Sequence, residues 1–213
     1  MFIQRVFGQQ DLTRLDALIG QNPFVTLIGT DAAGLPIASQ VPVLYRRDAA
    51  GIVIEGHWAK ANPQATLGKR PALIIVNGPH AYVSASWYPD KIEQARVPTW
   101  NYCTAHLHGT LEQFDDEAAL IDLLERTSAH FEQQVGGDWR FDASNPAERR
   151  QIAGIIGFRL RPTRVELKDK LSQNHPIDNR RAVAAHLAAS NDADAQQIAC
   201  LMQASLKETP NAT

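Results

Sequence analysis

The sequence predicts a mainly β protein, an antiparallel barrel with peripheral helices. Two D-A-A-G turns, Asp31 to Gly34 and Asp48 to Gly51, separate runs rich in Val, Ile, Leu and Thr, as antiparallel hairpins require. About six such runs precede residue 115. Apolar residues at helical spacing are confined to the start, the middle and the tail of the chain.

In order, Leu12, Leu15 and Ile19 mark a short amphipathic helix that Asn22-Pro23 ends. Residues 24–30, 35–46, 51–57 and 72–77 read as strands, the first three as a meander. Further strands are expected at 81–85 and 100–114, with Trp87-Tyr88-Pro89 and Val97-Pro98 in the loop between them. Asp115-Asp116 caps a helix whose apolar positions are Leu120, Leu124, Thr127 and Phe131, and Gly136-Gly137 breaks it. Ser144 or Asn145 before Pro146 starts a short helix, and residues 155–166 form a last strand that Arg161-Pro162 bends or places at an edge. From Asp178 the tail reads as a helical hairpin, with Val183, His186, Leu187 and Ser190 on one face and Ala195, Ile198, Ala199, Met202 and Leu206 on the next. Closing the sheet into a barrel would remove its exposed edges.

Composition excludes several classes. With 213 residues, 44% hydrophobic and 21% charged, the chain matches an ordinary globular protein and can bury a sizeable core. No apolar stretch approaches the roughly 20 residues of a membrane helix, and the first residues lack an apolar signal region, so a cytoplasmic location is expected. Cys103 and Cys200 form no metal or redox pattern and read as buried apolar residues. A formal charge of -2 and short, scattered basic pairs argue against direct DNA binding.

The residues with chemical potential fall in a few segments. His57 to Gln64, H-W-A-K-A-N-P-Q, leaves a strand and enters a helix at Pro63, where free N–H groups and Lys60 suit an anion. Asn62 also suits a helix cap, and His57 also suits a structural histidine. Trp87, Trp100, Tyr82, Tyr88 and Tyr102 cluster in two segments, as core filler or as a surface for a planar heteroaromatic ligand. His106 and His108 share a strand face with no third metal ligand nearby in sequence, so no metal is expected. No nucleophile elbow, dinucleotide fingerprint or phosphate loop is present.

Four segments together resemble the PaiB family: H-W-A-K-A-N-P-Q at His57, G-P-H-A-Y-V-S-A-S-W-Y at Gly78, V-P-T-W-N-Y at Val97 and K-L-S-Q-N at Lys170. The family is described as FMN-binding and as a negative transcriptional regulator. The resemblance covers residues 1–174 and implies a split antiparallel β-barrel similar to the pyridoxamine 5'-phosphate oxidases, followed by a C-terminal helical extension over 175–213. It implies a homodimer with FMN at the subunit interface. His57 and Lys60 would lie at the flavin phosphate with Asn62, Ser39, Gln40 and Val41 near the isoalloxazine ring, and Trp100 among the cofactor-binding residues. The function expected is flavin-dependent oxidoreductase or flavin-binding regulator, with an unassigned small-molecule substrate and no assigned catalytic residue. The alternatives are a transcriptional regulator acting through DNA or a partner, and a haem-binding split barrel using His57, His80, His106 or His108.

Overall fold

Asp31 and Asp48 build the two turns that the sequence predicts. In the computed structural model, which describes residues 1–66 and 68–207, Asp31 Oδ1 accepts from the N–H groups of Ala33 and Leu35, both at 2.8 Å, and Asp48 Oδ1 accepts from Ala50 at 2.8 Å. Gly34 and Gly51 follow at φ 84° and 113°, where a side chain would be strained.

The strands are β1 (Gly8–Gln9), β2 (Phe24–Thr30), β3 (Pro36–Pro42), β4 (Leu44–Asp48), β5 (Gly51–Ala59), β6 (Arg70–Val83), β7 (Thr99–Phe114) and β8 (Ile155–Lys170). The helices are α1 (Leu12–Gln21), α2 (Glu117–Val135), α3 (Pro146–Arg149), α4 (Ile177–Ala188) and α5 (Ala193–Lys207). The strand order is β3-β2-β6-β7-β8-β5-β4, with β1 also paired to β8. The sheet is therefore open, which corrects the closed barrel and the three-strand meander. The run at 35–46 divides at Val43: β3 pairs with β2, β4 pairs with β5, and the two halves form opposite ends of the strand order. Pro42 has no N–H for a ladder, and the N–H of buried Val43 donates to Pro23 O at 2.9 Å, which takes the chain out of the sheet. The two strands expected at 72–77 and 81–85 are one continuous strand, β6. Pro162 neither ends β8 nor leaves it at an edge; the recorded pairing with β5 stops at Leu160, so the missing N–H breaks no bond in that ladder.

The chain forms two compact units, and neither boundary falls at residue 174. The first contains Met1–Leu18, Asn77–Ala105 and the chain from Glu166 onward. Its core joins Ala81, Val83, Tyr88, Cys103 and Leu171 to the buried faces of α4 and α5, among them Val183, Leu187, Ile198 and Met202. The C-terminal helices share this core, so they are an integral part of the unit and not an appendage to it.

The second unit contains Ile19–Val76 and His106–Val165. Asp116 Oδ1 caps α2 by accepting from Ala119 N at 2.9 Å, and Gly136 ends the helix at φ 73°. The buried Leu120 of α2 packs with Phe141 and Ile152. Alternation along β5 sends Ile54 and Trp58 to one face and Glu55 and His57 to the other. Glu55, 8% exposed, accepts from Arg126 of α2 at 2.9 Å and from Arg159 of β8 at 2.8 and 2.5 Å.

Candidate functional site

The segment at the end of β5 is fixed by backbone bonds before any side chain acts. Lys60 N–H donates to Gly154 O at 2.9 Å, just beyond the Ala59 and Ile155 pair of the β5–β8 ladder. The chain then enters a four-residue 3-10 helix at Pro63–Thr66. Asn62 caps it: Oδ1 accepts from Gln64 N at 2.9 Å, and the Asn62 carbonyl accepts from Ala65 N at 2.8 Å. Pro63 has no N–H, so these bonds occupy the first donors of the turn. The free N–H groups expected to hold an anion are therefore absent at those positions, because the cap consumes them.

The donors that face outward belong to side chains. Asn62 Nδ2 donates to Ser39 Oγ at 2.9 Å, which joins the turn to edge strand β3. That bond leaves the Ser39 hydroxyl proton and the second Asn62 amide proton unspent. Lys60 is exposed, and among the described residues its ammonium has no side-chain partner. Gln64, fully buried, donates through Nε2 to Ile37 O at 2.7 Å and to Leu27 O at 3.3 Å, and its backbone carbonyl accepts from Gln113 Nε2 at 2.7 Å. It anchors the turn to β2, β3 and β7. Sequence reasoning gave Gln64 no role, since a buried amide that braces a turn has no local signature.

The other residues expected at the cofactor separate from this group. Gln40 is exposed on β3, whereas Val41 is buried at 5% exposure and can offer only its backbone outward. His57 points away from Trp58 into a cavity of about 190 Å³, lined by Leu124, Trp139, Phe141, Glu148, Gln151 and Ile155. Burial lowers its pKa and favours the neutral imidazole, which makes it a poor ligand for an anion. In the first unit, Trp100 is 51% exposed, stacks on His80 at 5.8 Å and meets Tyr82 edge-on at 5.9 Å. These rings line a cleft of about 490 Å³ with Trp87, which stacks on His186 at 5.1 Å. Tyr88, by contrast, is fully buried core and stacks on His175 at 4.6 Å.

A second cavity in the first unit, about 390 Å³, gathers the V-P-T-W-N-Y and K-L-S-Q-N segments through Val97, Thr99, Asn101, Lys170, Ser172 and Asn174. Asn101, fully buried, and Ser172 are bonded to each other, and Asn101 Nδ2 also donates to Met202 Sδ at 3.4 Å. Lys170 donates to Thr99 Oγ1 and, at 2.6 Å, to Trp100 O. Ser172 holds φ 63°, a left-handed backbone uncommon for serine.

An open sheet whose chain crosses from one free edge to the other at Val43 defines a split-barrel protein. The chain belongs to the PaiB family, through the model described as "Putative FMN-binding domain", which matches residues 1–164. The protease synthase and sporulation protein PAI 2 of Bacillus subtilis (strain 168) is 30% identical over 213 residues, covering 98% of this chain and 99% of that relative. Among solved structures, the flavocytochrome Anf3 from Azotobacter vinelandii is similar with a TM-score of 0.58 and 15% identity, over 78% of this chain and 72% of that one. The FAD and haem binding protein from Mycobacterium smegmatis matches with a TM-score of 0.57 and 20% identity, over 84% and 79%. At these identities the structural likeness shows the fold. Among the described residues, no helix is long and apolar enough to cross a membrane.

Proposed function

We propose that the protein binds FMN and holds its phosphate at the end of β5, with Lys60 as the counter-charge and Ser39 and Asn62 as neutral donors. The observation that carries this reading is the Asn62 and Ser39 bond two residues after the exposed Lys60, inside the segment that the family model matches. The donor set fits a phosphomonoester: one full positive charge, one hydroxyl proton and one amide proton, on a turn that Gln64 keeps rigid. The ring would extend along β3, where an edge strand offers backbone donors and acceptors outside its ladder and the Ser39, Gln40 and Val41 backbone is within the same strand. When bound, FMN would supply reversible hydride and electron transfer. His57, neutral in its own cavity, supports the β5 face and not the phosphate.

Homodimerisation belongs to the same reading, because Trp100 and Tyr82 leave half of their surface in water and a second copy would cover them. The name of the Bacillus relative favours a second reading, a flavin-binding regulator of transcription. The net charge of -2 favours action through a partner protein over direct DNA contact.

Titration of the purified protein with FMN and with riboflavin tests the assignment. Loss of one charge-assisted hydrogen bond, about 1.5–3 kcal/mol, corresponds to a roughly 10- to 150-fold weaker FMN complex for Lys60→Ala. Riboflavin has no phosphate and should bind the variant as it binds the native protein. Equal losses for both flavins, or none, would move the phosphate elsewhere, and a Soret band in the purified protein would favour haem.

A further inference from the structure

The 390 Å³ cavity of the first unit has an unbalanced charge. Lys170 lines it and bonds only to neutral acceptors, Thr99 Oγ1 and Trp100 O, which leaves its third N–H unspent. Lys168, two residues earlier on β8, does not line the cavity; its ammonium meets the Tyr102 and Phe2 rings, at 5.2 and 5.9 Å, and donates to Phe2 O, as Lys170 meets the Phe7 ring at 6.0 Å. The nearby acids already have cationic partners. Asp90 accepts from Arg96, and Asp169 accepts from Arg14 at 2.8 Å. Glu166 accepts from the N-terminal ammonium at 2.8 Å.

Two further features make the cavity a built site. His175, which lines it, keeps Nδ1 buried with no hydrogen-bond partner. The wall is also rigid: Asn101 and Ser172 are bonded to each other, α5 holds Asn101 through Met202, and Tyr88 stacks on His175. Buried Phe7 and the exposed Val97 add apolar surface at the same cavity. Its volume lies within the range of small-molecule sites, about 300–1,000 Å³.

We infer that this cavity binds a small organic carboxylate, whose charge is matched by Lys170 and whose apolar body lies against Phe7 and Val97. One negative charge balances the one uncompensated cation of the wall, and the carboxylate oxygens accept from the unspent Lys170 N–H and from His175 Nδ1 in its protonated tautomer. Burial and the neighbouring Lys168 push Lys170 below the ordinary lysine range, as expected of a cation whose counter-ion is the ligand. The inference is independent of the flavin reading, since none of its residues is assigned to FMN.

Calorimetric titration of the full-length protein with sodium acetate and sodium benzoate, against acetamide and benzamide at fixed ionic strength, tests it. At least one carboxylate should bind saturably and at least tenfold more tightly than its amide. Lys170→Gln should weaken that carboxylate at least tenfold and leave the FMN titration unchanged. Amides binding as tightly as carboxylates, no binding by either carboxylate, or an unchanged affinity in Lys170→Gln would overturn the inference. Inorganic phosphate binding more tightly than both carboxylates would overturn it as well. The carboxylate and amide comparison on the native protein decides the matter even if the variant fails to fold.

Discussion

The side-chain amide of Asn62 bridges two elements: it caps the turn after β5 through Oδ1 and donates to Ser39 Oγ on edge strand β3 at 2.9 Å. Its two roles can be separated. Asn62→Asp keeps the capping oxygen and loses the donor, so its unfolding free energy in urea should stay close to native while FMN binds more weakly beside the added negative charge. Asn62→Ala loses cap and donor together and should cost about 1–2 kcal/mol. A stable Asn62→Ala protein would show that the cap does not hold the turn.

Glu55 lies between two guanidiniums on the outer face of β5, nearly buried, with Arg126 and Arg159 both partly exposed. Its removal leaves Arg159 without its carboxylate and Arg126 with Asp122 alone, in a pocket that Arg46 and Arg161 also line. Glu55→Ala should destabilise the protein by about 1–3 kcal/mol, the solvent-exposed arginines moderating the full penalty of a broken buried pair. Urea unfolding at pH 7 measures this, and a further loss at low salt would identify the repulsion as its cause.

The two cysteines should differ sharply towards thiol reagents. Cys200 is exposed on α5, whereas Cys103 is buried, and its burial with the nearby Asp169 raises the thiol pKa far above neutrality. One thiol per chain should react with a chromogenic disulfide under native conditions and two after denaturation. Rapid reaction of both in the native protein would place Cys103 at the surface.

Acid should remove stability in two steps. Burial depresses the pKa of His57 from 6.5, so the unfolded chain binds the proton first and stability falls as pH drops below about 6.5. His57→Gln should reduce that part of the profile, and His175, also lowered by burial, supplies the remainder. Asp90, held by Arg96 and Asn179, is lowered from 3.8 to about 2; its contribution is complete above pH 3.8 and disappears as pH falls through 2. Asp90→Asn should shrink this second step, to which Glu117 beside Arg149 and Asp142 beside Ser144 also contribute, and leave the first, as read from unfolding midpoints measured between pH 2 and 8.

Hairpin turns and helix caps were legible in the sequence because each rests on one residue acting on its neighbours. Asp31, Asp48, Asp116 and Asn145 form the turns and caps that their positions predict. What escaped was long-range. Pro42 marks a weak point in residues 35–46, but nothing there shows that Val43 turns to Pro23, since that acceptor lies 20 residues earlier in the chain. The family resemblance set Lys60 with His57 at the phosphate and Ser39 near the ring, but periodicity could not show that the Asn62 cap would spend the N–H groups of the turn. Nor could it show that the face His57 takes by alternation holds a cavity of its own.

The crossing at Val43 also limits how far the seam of the sheet can open. Two residues of extended chain, Pro42 to Leu44, reach about 7 Å, so the free ends of the two hairpins are tethered by a strap with no slack. Thermal opening of that aperture cannot grow by paying out chain, as it could at a loop of ordinary length. A ligand lying along β3 would therefore meet an edge whose far end is held in place, and one or two residues inserted at position 43 should loosen that end before they disturb either hairpin.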